Sequence, residues 1–172
     1  TADAVTYSCV KVEIDRQGRR ATITLHGPTA APPATAEAIQ AQGAQFYPLR
    51  IARELDDAIL HLRLNELEVG TWIFKSQGDA AQVLAYDGVL EANKGNWLVR
   101  EILNNWKRVL KRIDVTSRSL VTLIEPGSCF AGTLAEIIFA CDRAYMFDGQ
   151  MKGDNRPAGA VTLSQLNFGR YP

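Results

Sequence analysis

Several absences in the 172-residue sequence narrow its function before any motif is considered. No apolar run is long enough to cross a bilayer, which argues against an integral membrane protein, and the first residues lack the pattern of a secretory signal peptide. Lys and Arg total 19, as do Asp and Glu, so the formal net charge is zero. A neutral chain has no strong field that favours nucleic acid or a membrane surface, and we expect neither as a partner.

Cysteine is also scarce, and the three cysteines present form no ligand motif. Cys9, Cys129 and Cys141 contain no CxxC pair, and one of them would be left over from any disulfide. Reduced thiols inside a core are the favoured interpretation, which indicates a cytoplasmic protein. No metal-ligand or nucleotide motif is present. Cys129 has no base at a telling spacing, so a cysteine nucleophile is disfavoured.

Hydrophobic residues make up 47% of the chain, which is typical of one globular domain. β-Forming residues from Val5 to Ile14, a turn and the run from Arg20 to Leu25 predict an opening β-hairpin. Helical spacing predicts a helix from Pro48 to about Glu68, and Thr71 to Lys75 is typical of a short central strand. The stretch from Ala80 to Tyr86 is predicted to be a loop or an irregular strand end.

The section from Asp87 to Arg112 has the strongest helical periodicity in the chain. Gly95 and Asn96 within it predict a break between a shorter and a longer helix. Further on, the sequence predicts a polar loop from Gln150 to Pro157 and a strand, or the approach to one, from Val161 to Leu166. The alternation of strands and helices predicts an α/β fold with crossover helices.

The segment from Ser119 to Asp148 is the part around which the rest is organised. Its pattern predicts a buried strand, a turn at Pro126, a helix and a second strand. Open α/β folds bind ligands where a strand ends and a helix begins, and the backbone N–H groups there are unpaired and partly positive. Glu136 lies about one turn further in, so a proton donor could stand beside a bound negative oxygen.

This order of elements resembles the crotonase (enoyl-CoA hydratase/isomerase) superfamily. The segments TWIFKSQGD and LVTLIEPGSCFAGTLAEIIFACDRAYMF keep the order and spacing of that family, with Gly132, Glu136 and Asp142 in register. The segments YDGVLEANKGNWLVREI and SLVTLIEPGSCFAGTLAEI resemble, more narrowly, the second crotonase-like half of the benzoyl-CoA-dihydrodiol lyase family. The resemblance implies a ClpP/crotonase spiral of β-β-α units over residues 1–172. It also implies that this single domain is a fragment of a longer two-domain enzyme, with its C-terminal helices missing.

The narrower resemblance implies a specific chemistry. Members of that family are lyases that cleave epoxidised (formally dihydrodiol) benzoyl-CoA to a semialdehyde thioester and formate. The implied partner is an acyl-CoA substrate of the benzoyl-CoA type, in a homo-oligomer, with no metal and no cofactor beyond the CoA moiety of the substrate. Crotonases hold the thioester oxygen between two backbone N–H groups. The resemblance places one at Gly132 or Thr133 and the other at Gln82, Val83 or Leu84.

The acid groups and the turn depart from the family pattern. Crotonases that act on hydratable substrates use a glutamate at the position of Glu136 and a second one at the position of Gln165. A neutral amide cannot transfer a proton as a carboxyl group can. The three-glycine turn of the family is Ala131-Gly132-Thr133 here, so the backbone is less free. We therefore expect a degenerate, largely structural half. The alternatives are a non-catalytic dimerisation module and an ordinary enoyl-CoA hydratase or isomerase.

Overall fold

A single mixed β-sheet is the scaffold of the computed structural model, which describes residues 3–149 and 152–171. Within these residues six strands lie side by side in chain order: β1 (Ala4–Thr6), β2 (Val10–Asp15), β3 (Arg20–His26), β4 (Thr71–Gln77), β5 (Ser119–Ile124) and β6 (Arg143–Met146). The first three strands pair antiparallel, and β3 to β6 pair parallel. Parallel neighbours require long crossover connections, and these are helical.

The same residues form five α-helices: α1 (Ala36–Gln42), α2 (Tyr47–Asn65), α3 (Ala80–Ala92), α4 (Trp97–Asp114) and α5 (Gly132–Phe139). Short 3₁₀ helices span Gly43–Gln45 and Gln165–Asn167. Helices α2 and α4 pack together, and the Trp106 indole N–H donates to the Pro48 carbonyl at 2.9 Å. Alternate residues of the strands, such as Trp72 and Phe74, are fully buried in the same core.

Most of the predicted elements are confirmed, including the α/β class, the break near Gly95 and the unit from Ser119 to Asp148. The prediction for Ala80 to Tyr86 is wrong, because this stretch is the first half of α3. The Asp79 side chain accepts from the Ala81 N–H at 2.8 Å and so caps the helix at its first turn. This correction matters for the site, because it places Asp87 on the inner face of a helix.

Two other predictions hold only in part. The opening strand is interrupted after Thr6, where the Tyr7 N–H donates to the Val10 carbonyl and turns the chain. Beyond the sheet, the strand predicted from Val161 to Leu166 is reduced to one bridge between Thr162 and Ala131. In the predicted polar loop, positions 150 and 151 lie outside the described residues, and 152–157 contain no helix or strand.

Candidate functional site

The turn between β5 and α5 is built around a glycine in a conformation that other residues rarely adopt. Gly132 has φ +47°, and a Cβ atom placed on it would lie 1.9 Å from an oxygen of Asp87. Its N–H donates to the Thr162 carbonyl at 2.8 Å. Glycine at this position therefore leaves room for the side chain of Asp87. The resemblance had predicted that this turn binds the substrate.

Thr133 follows, and both of its donor groups contact the same carboxylate. The Thr133 N–H donates to Asp87 Oδ2 at 2.8 Å, and the Thr133 hydroxyl donates to Oδ1 at 2.7 Å. A third donor, the Ser164 hydroxyl, lies 2.6 Å from Oδ2. The first N–H groups of a helix have no intrahelical acceptor, so the Asp87 carboxylate satisfies one of the unpaired donors of α5.

Asp87 comes from the inner face of α3 and is only 3% exposed. Burial raises the pKa of this carboxyl above its usual value, while the bonds from Ser164 and Thr133 act in the opposite direction. Asp87 is not among the site residues predicted from the sequence. The signal was present, because Asp87 lies four residues after Val83 and three before Leu90, and these two side chains are also buried.

Val83 does not present a free N–H either. Its N–H donates to the Asp79 carbonyl at 3.3 Å as part of the first turn of α3. Val83 and Thr133 nevertheless line the same cavity, which has a volume of about 10 Å³ and is also bounded by aromatic side chains: Tyr47, Tyr86 and Trp106. That volume holds at most about one water molecule. The crevice predicted for a thioester is filled by the protein in this conformation.

Glu136 lies one turn further along α5, where it is 8% exposed. Its Oε1 accepts from the Asn167 side-chain amide at 2.6 Å, and the same amide also donates to the Gly132 carbonyl at 2.9 Å. Burial raises the pKa of Glu136 above its usual value, the Asn167 bond lowers it, and the negative charge of Asp87 raises it further. A buried carboxyl at the predicted position therefore has a polar partner from the later loop.

Gln165, which the resemblance places at the position of the second glutamate, is exposed on the 3₁₀ helix. Asn167, two residues later, makes the contact with Glu136 instead. Asn167 is itself held in place, because its Oδ1 accepts from the Ser164 N–H at 2.7 Å. The later loop thus contacts Glu136 through Asn167, two residues after Gln165.

Glu136 also borders a second cavity of about 200 Å³ between the ends of α4 and α5, with Leu110, Lys111, Asp114, Phe139 and Ala140. The Lys111 ammonium is paired with Asp114 at 2.6 Å. The lining of this cavity therefore combines three apolar residues with three charged ones. None of the predicted oxyanion residues borders it.

The last residues of the described chain close over the turn of α5. The Tyr171 hydroxyl lies 2.8 Å from the Thr133 hydroxyl, and burial raises the pKa of Tyr171. Ser164 and Asn167 also contact this turn, and both belong to the same segment as Tyr171. We call this segment, from Thr162 to Tyr171, the strap. The strap forms the outer wall of the crevice. The strap contacts the turn through side chains as well as through the backbone bond from Gly132.

Cysteine and metal chemistry receive no support from the geometry. Cys129 is fully buried, and burial raises the pKa of its thiol, which lowers the fraction of reactive thiolate. Among residues 3–149 and 152–171, no three His, Cys, Asp or Glu side chains are arranged to hold a metal ion. In the same part of the chain, no helix combines the length and the apolar character needed to cross a membrane.

One known protein is similar to this chain over nearly its whole length. No family model matches the chain. Benzoyl-CoA-dihydrodiol lyase of Aromatoleum evansii is 51% identical over 166 residues, which are 96% of this chain and 29% of that protein. The chain therefore spans less than a third of the length of this relative.

Solved structures with low sequence identity share the architecture. An enoyl-CoA hydratase/isomerase from Xanthobacter autotrophicus Py2 matches with a TM-score of 0.53 at 18% identity, over 81% of this chain and 46% of that one. An enoyl-CoA hydratase from Bacillus halodurans gives 0.50 at 18% identity, over 80% and 49%. The chain therefore has a crotonase-like fold, and it is a homologue of part of benzoyl-CoA-dihydrodiol lyase.

Proposed function

We propose that this chain is part of a crotonase-type lyase acting on epoxidised (formally dihydrodiol) benzoyl-CoA, and that the segment is a degenerate, largely structural half of that enzyme. The 51% identity to benzoyl-CoA-dihydrodiol lyase over nearly the whole chain supports the parent activity. On this proposal the parent enzyme opens the ring and releases a semialdehyde thioester and formate. It needs no cofactor beyond the CoA moiety of its substrate, and it works in the cytoplasm, where the three free cysteines of this chain stay reduced.

One observation carries the structural role. Each of the candidate oxyanion groups at Gly132, Thr133 and Val83 donates to an acceptor within the chain. An oxyanion hole must have free donors aimed at the place where negative charge develops. Donors that are already paired inside the protein supply no such stabilisation without a rearrangement. Because Gln165 stands at the position of the second glutamate, we also assign the catalytic carboxylates to the part of the parent enzyme outside this chain.

A pair of measurements tests the two parts of the proposal. The full-length enzyme should convert 2,3-epoxybenzoyl-CoA to a ring-opened thioester with release of formate, and it should not hydrate crotonyl-CoA at a comparable rate. Calorimetric titration of benzoyl-CoA into this segment should give no saturable heat. Crotonyl-CoA hydration as the main activity would favour an ordinary hydratase. Tight benzoyl-CoA binding by the wild-type segment, lost in Thr133→Pro, would contradict the structural role.

A second candidate function, an association module, is favoured by the exposed end of α5 and the edge strand. Phe139, Tyr145, Met146 and Phe147, which we call the apolar edge, are between 39% and 63% exposed. Large apolar side chains grouped at one border are typical of surfaces that bind protein. Sedimentation velocity should detect self-association of the segment that Phe139→Ser weakens. Leu67→Ser, which alters an equally exposed side chain elsewhere, is the control.

A further inference from the structure

The cavity between α4 and α5 lies where both helices end, and its surroundings favour a positive charge. Helix α4 ends at Asp114 and α5 ends at Phe139, and both residues border the cavity. The last carbonyl groups of a helix carry partial negative charge, which stabilises a cation placed near them. Two helix ends of the same polarity therefore border one enclosed space.

Glu136 adds a carboxyl group that is held in place but has one oxygen to spare. Its side chain is 8% exposed, and Oε1 accepts from the Asn167 amide at 2.6 Å. Oε2 accepts no hydrogen bond from any of the described residues. Because Glu136 borders the cavity, a donor inside the cavity can reach this oxygen. Buried polar groups are normally hydrogen-bonded, so the spare oxygen points to a donor that the chain itself does not supply.

The titratable groups around Glu136 come from α3, α4 and the strap. Burial raises the pKa of Glu136, and the negative charge of Asp87 on α3 raises it further. On α4, Asp114 borders the cavity and is paired with Lys111 at 2.6 Å. The Tyr171 hydroxyl of the strap is uncharged, because burial raises its pKa. The described residues that line the cavity thus include two carboxyl groups and one ammonium, which already has a partner.

We propose that this cavity is a binding site for a primary ammonium group on a short apolar chain. The ammonium donates to Glu136 Oε2 near the negative ends of both helices, and the apolar chain contacts Leu110 and Phe139. A metal ion fits less well, since no three His, Cys, Asp or Glu side chains of the described residues are grouped to hold one. The cavity volume of about 200 Å³ is smaller than the roughly 300 to 1,000 Å³ of a drug-sized pocket, so the ligand has few atoms.

Calorimetric titration with butylammonium chloride tests the site, because this probe is an ammonium on a short alkyl chain. Wild type should bind it along a saturating curve, while sodium chloride at equal ionic strength and butanol should give no saturable heat. Binding should strengthen as the pH rises through the raised pKa of Glu136 and then level off, since only the ionised carboxylate attracts the cation. An equal response to butylammonium and butanol, or no response to either, would overturn the proposal.

Glu136→Gln is the decisive variant, because it removes the charge but keeps the size of the side chain and an acceptor for Asn167. The affinity for butylammonium should fall by about tenfold or more and lose its pH dependence. Glu101→Gln, which removes the same charge from an exposed position on α4, should change neither property. An unchanged affinity in Glu136→Gln would contradict the proposal.

Ala140→Leu is a second test that leaves every charge in place. The larger side chain should fill part of the cavity and prevent binding. Retained affinity for butylammonium in this variant would overturn the assignment to the cavity.

The source of the ammonium is distinguished with a second probe, Nα-acetyl-lysine methylamide, which has the same group on a peptide unit. Tighter binding than butylammonium supports the site with a lysine side chain of a protein as its ligand, and weaker binding supports it with a free amine. Failure of both probes would overturn the proposal. The proposed function is judged separately, because turnover of epoxidised benzoyl-CoA by the full-length enzyme does not depend on amine binding.

Discussion

The two ends of α5 differ in what surrounds them. At its beginning, Thr133 and Glu136 are buried, and each has polar partners within the chain. At its end, Phe139 is 63% exposed, and every residue of the following strand β6 is also exposed. Within about two turns, the helix therefore passes from a buried crevice whose polar groups are hydrogen-bonded to the exposed apolar edge.

The two ends of α5 differ in whether their energetic requirement is met, which is hydrogen bonding for buried polar groups and burial for apolar surface. Buried polar groups cost free energy unless they are paired, and the crevice meets that requirement with Asp87, Asn167 and the strap. Apolar surface favours burial, yet the side chains of the apolar edge remain 39% to 63% exposed. A partner is therefore expected at the edge, while the crevice is complete as it stands. The following predictions test this contrast from the largest expected effect to the smallest.

Adding one methyl group at the crevice should have the largest effect. In Gly132→Ala the new Cβ would lie 1.9 Å from Asp87 Oδ2 at a φ of +47°, so the side chain clashes and the backbone is strained. The free energy of unfolding should fall by about 4 kcal/mol in urea denaturation. The control is Gly88→Ala on the exposed side of α3, where nothing lies within 4 Å. This control should be neutral or stabilising by about 0.5 to 1 kcal/mol. An equal loss of stability in both variants would contradict a special role for Gly132.

Removing the Asp87 carboxylate should come next. Asp87→Ala leaves the Thr133 N–H, the Thr133 hydroxyl and the Ser164 hydroxyl without their acceptor. We expect a loss of about 3 kcal/mol, measured by the same denaturation. Glu101→Ala, at an exposed position on α4, should change stability by less than about 0.5 kcal/mol. A loss as small as that at Asp87 would mean that the crevice does not depend on its internal anion.

Asn167 and Gln165 give a matched pair on the strap. Asn167→Ala removes the donor to Glu136 and to the Gly132 carbonyl, and it should cost about 1 to 2 kcal/mol. Gln165→Ala removes an exposed side chain and should have almost no effect. Thermal unfolding of both variants checks this. A larger loss at Gln165 than at Asn167 would contradict the assignment of the stabilising contacts to Asn167.

The pH dependence of stability should show the buried acid directly. Because burial raises the pKa of Asp87, the folded chain keeps a proton there at pH values where the unfolded chain has released it. The associated stability is fully present below the unfolded pKa and is lost as the pH rises through the raised one. Wild type should therefore gain stability relative to Asp87→Asn when the pH falls from about 7 to about 4. Urea denaturation of both proteins at several pH values measures the difference. A loss of stability of wild type relative to Asp87→Asn as the pH falls would contradict a raised pKa.

Substitution at the apolar edge should have the smallest effect on the isolated chain. Phe139→Ser changes an exposed side chain, so the free energy of unfolding of the monomer should shift by less than about 0.5 kcal/mol. Its solubility and association should change more than its stability. Chemical denaturation at low protein concentration checks this prediction. A loss of several kcal/mol would show that the edge packs against the chain's own core.

The sequence predicted the fold through its resemblance and through clear helical and strand periodicity, and it placed Glu136 about one turn into a helix. It did not point to Asp87, because its pattern predicts an irregular stretch from Ala80 to Tyr86, which is in fact helical. With the Asp79 cap recognised, the buried spacing of Val83, Asp87 and Leu90 would have pointed to an acid inside the core.

The sequence also did not predict the contact between Asn167 and Glu136, and the physical cause is different. A 3₁₀ helix turns by about 120° per residue, so two residues that are two positions apart point in different directions. Whether this short helix forms depends on the Ser164 side chain, which accepts from the Leu166 N–H at 3.2 Å, and on the Asn167 bond to the Ser164 N–H. Alignment to a family pattern contains no information on such a local cap.

Amide hydrogen exchange at Thr133 tests the central claim most directly. As one of the first N–H groups of α5, this amide has no intrahelical acceptor, so its protection depends on Asp87. The account predicts slow exchange in wild type and much faster exchange in Asp87→Ala, while the Phe74 amide in β4 keeps its protection relative to global unfolding. Fast exchange at Thr133 in wild type, or equal protection in both proteins, would contradict closure of the crevice by Asp87.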